Sequence, residues 1–161
     1  MNLKKIIYVS CVLLLVSCKS VEQTGVPAGV AVGYGSPYVK QELVNDQMFL
    51  INEYSTDKTY GFTEGNPIMV GGAKTDEGPK NERRFLNALA GSNGEQISYQ
   101  RIGSCCSFQT ENGTYSPRGL LDKYEITYTG LNTPKVLYIN MYDSDVLKVP
   151  VGFTLKKSNP K

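Results

Sequence analysis

Asp122-Lys123-Tyr124-Glu125-Ile126-Thr127-Tyr128-Thr129 alternates side-chain character along its whole length, with Tyr124, Ile126 and Tyr128 pointing one way and Lys123, Glu125, Thr127 and Thr129 the other. A period of two with one apolar and one polar face is the mark of an antiparallel strand that is buried on one side and wet on the other. Residues 130–134 then turn the chain. Residues 135–142 (KVLYINMY) are apolar on both faces, as a central strand requires. Val149, Val151, Phe153 and Leu155 alternate again and predict a strand that closes an antiparallel meander.

Upstream, residues 79–90 hold the one strong helical pattern. Pro79 suits the first helical position, Phe85, Leu86, Ala88 and Leu89 make an apolar face, and Gly91 is a stop. Lys80, Glu82, Arg83 and Arg84 crowd the first turns and are expected on a solvated face. Ser92-Asn93-Gly94 signals a turn, and Ile97 and Tyr99 alternate with polar neighbours into a further strand. Residues 43–54 mix apolar and polar types and read as a strand or, alternatively, a helical turn, residues 55–61 as a turn, and Ile68-Met69-Val70 as a short apolar piece stopped by Gly71-Gly72. The expected fold class is α+β: a mostly antiparallel sheet with one packed helix.

The chain has 161 residues, no His and no Trp, with 40% hydrophobic and 20% charged content. Globular composition and this length fit one domain. A complete (β/α)₈ barrel typically needs about 250 residues. Without histidine there is no Ser-His-Asp triad, Cys-His pair or His-ligated metal. Residues 1–17 carry two lysines and no acids, which leaves 15 basic and 15 acidic side chains after them. Balanced charge without a basic cluster gives no electrostatic footprint for nucleic acid.

The first residues decide the expected destination. Lys4-Lys5 is followed by an apolar run of about eleven residues, 6–16, too short for a bilayer core of roughly 20 and suited to a secretory signal. The run closes on Leu15-Val16-Ser17-Cys18, which resembles a bacterial lipobox. That resemblance implies cleavage before Cys18, lipid on its thiol, and a stable anchor from two or more acyl chains. Lys19, in place of an inner-membrane-retaining Asp, favours the outer membrane. Residues 1–17 are thus read as signal, 18–38 as lipidated Cys and flexible tether, and 39–161 as a single domain.

Four places carry candidate chemistry. With Cys11 in the signal and Cys18 lipidated, Cys105 and Cys106 are the remaining thiols. Alternating strand geometry would send one inward and one outward. A vicinal disulfide would be a strained ring, since neighbouring Cα atoms lie about 3.8 Å apart. A redox or soft-metal role is the third reading. Asp143 and Asp145 flank Ser144 and offer two carboxylates to a cation such as Ca²⁺, which needs six to eight oxygens, or simply make a turn. Asp76-Glu77 precedes the helix, where acids complement its dipole. The eleven tyrosines line the sheet as packing or present a binding face. No catalytic residue and no cofactor is implied.

The segments Asp57-Lys58-Thr59-Tyr60-Gly61-Phe62, Asn66-Pro67-Ile68, Gly71-Gly72, Gly78-Pro79-Lys80-Asn81-Glu82-Arg83, Gly103-Ser104-Cys105-Cys106, Tyr124-Glu125-Ile126-Thr127-Tyr128 and Leu137-Tyr138-Ile139-Asn140-Met141-Tyr142 together resemble a family of small Bacteroidota lipoproteins of unassigned mechanism. The likeness covers most of residues 50–155, and the double-cysteine segment is its most distinctive part. Some members carry the automatic name 2-dehydro-3-deoxyphosphooctonate aldolase. The enzyme of that name is a barrel-sized cytoplasmic protein, so neither the length nor the lipobox supports that activity, and no catalytic residue carries over. The expectation is a non-catalytic binding or accessory subunit of an envelope assembly, held to the membrane by its lipid and paired with an envelope protein. The alternatives are a small envelope enzyme on sugar or sugar-acid substrates and a vicinal-dithiol redox protein.

Overall fold

The computed structural model describes Ala31–Val32 and residues 39–157. Cys18, the signal and the rest of the tether lie outside the described residues. The strands are β1 Ala31–Val32, β2 Leu43–Asn45, β3 Met48–Phe49, β4 Glu53–Tyr54, β5 Ile68–Met69, β6 Leu89–Ala90, β7 Ser98–Gln109, β8 Arg118–Thr127, β9 Lys135–Asn140, β10 Lys148–Val149 and β11 Thr154–Leu155. The helix α1 is Gly78–Ala88, preceded by a 3₁₀ turn at Ala73–Thr75.

The main sheet has the order β1-β7-β8-β9-β5. Its long strands β7, β8 and β9 run antiparallel, while β1 and β5 add in parallel at the two edges. The architecture is α+β, with the helix packed on a mostly antiparallel sheet. Strand β8 fulfils its alternation: Tyr124 and Ile126 are buried while Lys123 and Glu125 are half-exposed. Strand β9 lies between β8 and β5, and Leu137 and Ile139 are fully buried. Against this face α1 places Phe85, Leu86 and Ala88, and the same core takes in Phe49, Ile68, Val149 and Phe153.

Three expectations are corrected. The helix ends at Ala88, two residues early, because Leu89 turns to an extended conformation and Leu89–Ala90 pair with Thr154–Leu155. Gly91 still matters there, since a Cβ on it would stand 2.8 Å from the Tyr128 ring. Residues 149–155 do not close a meander. Gly152, at φ 84, turns the chain, and the pieces on either side join β4 in parallel and β6 antiparallel. Residues 43–54 break into three short strands around a tight turn.

The tyrosines divide. Tyr124 is buried and Tyr60, Tyr99 and Tyr128 pack against the core, whereas Tyr54 and Tyr115 are exposed. Burial pushes the Tyr60 hydroxyl up to about 12.

Phe85 has no exposed surface. Phe85→Ala is expected to lower the unfolding free energy by about 3–5 kcal/mol, read as a reduced denaturant midpoint. Leu43, at 46% exposure, serves as the control: Leu43→Ala should change stability by no more than about 0.5 kcal/mol.

Candidate functional site

Strand β7 is not regular, and its two irregularities build the site. The register slips once between Arg101 and Gly103 and again between Cys105 and Phe108. Each slip is a bulge, an extra residue that rephases the side chains beyond it. Gly103, at φ 131, allows the first. It puts Arg101 and Ser104, three residues apart, on the same face, and both reach Asp122 of β8.

The contacts are close. Arg101 donates from Nε to Asp122 Oδ2 at 2.7 Å and from Nη2 to Oδ1 at 2.8 Å, a two-pronged charge-assisted pairing. Ser104 Oγ donates to Asp122 Oδ1 at 2.7 Å and accepts from Arg101 Nη2. Asp122 is buried, while Arg101 is about half exposed. The aspartate raises the Arg101 pKa further, chiefly through this hydrogen bond.

Two residues along β8 on the same face, Tyr124 donates its hydroxyl to Glu82 Oε2 at 2.8 Å. Glu82 is on α1 and has no exposed surface, and its Oε1 meets no partner among the described residues. Burial pushes the Glu82 carboxyl up to about 7, and the negative charge of Asp122 adds to the rise. The Tyr124 hydroxyl, Arg101 and Arg83 pull the other way. Burial and the Glu82 charge together drive the Tyr124 pKa up as well. Chemically, Glu82 can exchange a proton near neutral pH, but it does so inside the core. Its titration therefore couples to folding.

Of the four charged residues expected on a solvated face, Arg83 is exposed and Lys80 half-exposed, while Glu82 is corrected to a core position. Arg84 is also buried: it donates to Glu77 Oε2 at 2.6 Å, to Asn81 Oδ1 at 2.8 Å, and to the Asp46 carbonyl and carboxylate at 3.0 and 3.1 Å. Lys80 joins Asp46 at 3.1 Å. Hydrogen bonds from Lys80 and Arg84 hold the Asp46 carboxyl below its usual range. Glu77, at the start of α1 without a side-chain cap bond, thus serves a cation on its own helix. The signal for Glu82 was present in the sequence, because 82, 85, 86 and 89 are the i, i+3, i+4, i+7 positions of the apolar stripe.

The structure joins Cys105 and Cys106 by a disulfide, with S–S 2.13 Å and Cα atoms 3.7 Å apart. Both residues are half-buried. Cys106 takes φ 56, one of two non-glycine residues with positive φ among those described. The pair lies within the second bulge, so the one-in, one-out alternation of a regular strand does not apply.

Asp143 and Asp145 do not converge. Asp143 is buried and accepts from Thr110 Oγ1 at 2.6 Å, Asn112 Nδ2 at 2.8 Å and Asn140 Nδ2 at 2.9 Å. It ties the segment after β7 to the end of β9. Asp145 is exposed and accepts the Val146 N–H at 2.7 Å. The turn reading for residues 143–145 therefore misses the buried anchor. Among the described residues no group of three or more His, Cys, Asp or Glu is placed to hold a metal ion, and no helix is long and apolar enough to cross a membrane.

A groove of about 220 Å³ is lined by Val39, Lys40, Glu42, Leu50, Glu53 and Val146 among others. Leu50 and Val146 are 42% and 45% exposed. A second cavity of about 220 Å³ adjoins it through Val39 and Gln41 and includes Arg84 and Ser144. Set against protein-family models, curated proteins and solved structures, the chain finds no match in any of the three.

The pH dependence has a definite sign. Below 4.5 Glu82 is protonated whether the chain is folded or not; above it the unfolded carboxyl ionises, while the folded one stays protonated until about 7. The unfolded state then binds fewer protons, and this group costs roughly 3 kcal/mol of stability as pH rises across that window. Glu82→Gln should remove that slope, so the variant gains on the parent between pH 5 and 7.5 in denaturant titrations; an unchanged difference across the window would refute the assignment.

Proposed function

We propose that this protein is a lipid-anchored lipoprotein of the outer membrane, whose α+β domain acts as a binding or accessory module for an envelope protein. The observation that carries the reading is Leu15-Val16-Ser17-Cys18 at the end of a short apolar run behind Lys4-Lys5. Twelve residues separate Cys18 from β1. Even fully extended they reach at most about 40 Å, at 3.3–3.6 Å per residue. The domain therefore works close to the membrane surface, on a partner that is itself near or in the membrane.

The groove at Leu50 and Val146 supports the binding half. It combines exposed apolar side chains with Lys40, Glu42 and Glu53 around them, the composition of a protein contact with a polar rim. The buried carboxylates lend no support to an enzyme, since the group best tuned for proton transfer, Glu82, has no exposed surface.

Growth of the native cells with an alkyne-tagged fatty acid should label the chain and recover it in the outer-membrane fraction. Cys18→Ser should lose both label and membrane association. In-cell crosslinking followed by mass spectrometry should recover a stoichiometric partner, and a Leu50→Asp, Val146→Asp variant should stay lipidated yet lose that partner at least tenfold. An unlabelled, freely soluble parent chain would overturn the anchor, and a parent that captures nothing would overturn the accessory role.

A further inference from the structure

We propose that Cys105–Cys106 is a site of reversible thiol–disulfide exchange in the folded protein, reduced by a dithiol of the Cys-x-x-Cys class, and that the bond clamps the second bulge of β7. A cross-link stabilises a fold chiefly by closing a long loop in the unfolded chain, and its effect grows with that loop. Between neighbours there is no loop to close. The Cα separation of 3.7 Å falls below the range of about 4.4–6.8 Å in which disulfides ordinarily form, so the adjacency itself favours a reducible bond. Loop closure in the unfolded chain is therefore not what this bond contributes, and its adjacency suits a local, reversible role.

The surroundings admit a reductant. Both cysteines are half-buried rather than sealed. Among the described residues, the outer edge of β7 has a strand neighbour only at Phe108 and Gln109, where β1 pairs.

The clamp follows from the register. Cys105 faces Leu121 and Phe108 faces Gly119, so three steps on β7 span two on β8. Cys106 holds the extra residue at φ 56, a conformation that a side chain resists. The phase it sets decides where everything beyond it lands: Phe108 against Tyr142, with ring centroids 5.9 Å apart, and Thr110 on Asp143. Before the bulge lies the Arg101–Ser104–Asp122 cluster. The disulfide therefore sits at the joint between the two halves of the strand.

The exchange balances as follows. A thiolate of the donor attacks one cysteine sulfur, the S–S bond breaks, and a mixed disulfide forms while the other cysteine leaves as a thiolate. The donor's second thiolate attacks its own sulfur in the mixed disulfide, which frees the remaining cysteine and leaves the donor oxidised. Two electrons reach the pair, and two protons from solvent complete the thiols. An oxidised donor of the same class runs the steps in reverse.

The inference stands whether or not the chain is anchored, and the test uses the full chain in detergent without denaturant. Reduced thioredoxin is the probe, followed by acid quench, maleimide labelling and peptide-resolved mass spectrometry, which separates this pair from Cys11 and Cys18. An adduct on each of Cys105 and Cys106, absent before reduction and lost on reoxidation, is the expected result. Amide exchange across residues 104–110 should speed up on reduction while α1 and β9 stay unchanged, and Cys105→Ser, Cys106→Ser should reproduce the reduced pattern. Adducts that need denaturant, or adducts present before any reductant, would overturn the site. A double variant that exchanges like the oxidised protein would overturn the clamp.

Discussion

One face of a three-turn helix has to be covered, and the covering of that face organises the molecule. Phe85 and Leu86 of α1 are fully buried over Tyr124, Ile126, Leu137 and Ile139. Fully burying each such side chain is worth roughly 1.5–3 kcal/mol. That gain also carries Glu82 into the core, at a position where a carboxylate would be expensive. The structure resolves the conflict by giving Glu82 the Tyr124 hydroxyl and by raising its pKa towards neutrality. Helix and sheet thus meet through an apolar stripe with one polar stitch in it.

The same economy recurs across the sheet. Buried Asp122 is matched by Arg101 and Ser104, buried Arg84 by Glu77, Asn81 and Asp46, and buried Asp143 by three neutral donors. Each of these charges spans elements distant in sequence. They specify which piece of irregular chain belongs where, in a fold whose short strands have few ladder hydrogen bonds to do so. Glu82 Oε1 is the exception, and it coincides with the group whose charge is least stable at its site.

Much of the fold was legible in the pattern. The alternation from Asp122, the doubly apolar run at 135–142 and the apolar stripe of 79–90 led to β8, β9 and α1 within a few residues. What escaped depends on partners far along the chain. The apolar face of α1 predicted that something would cover it, but nothing local showed that Tyr124 would meet Glu82 or that Asp46 would hold Arg84. The bulges of β7 were half legible: Gly103 in the middle of a strand is a signal for one, whereas Cys106 in a left-handed conformation has none. Two-residue strands such as β5 and β10 have too little length for any period, and their parallel pairing is set by the sheet they join.

That pairing has a consequence for how the chain comes to be folded. Strand β4 waits for β10, β5 for β9, and β6 for β11, so every short strand from residue 53 to 90 finds its partner beyond residue 134. Such closures across long intervening chain are slow and come after the chain between them has been made. A chain that emerges N-terminus first can therefore not seat β5 until β9 is free, nor β4 and β6 until residues 148–155 follow. Until then only the local antiparallel pairing of β7 with β8 can stand, and the short strands before it wait unpaired.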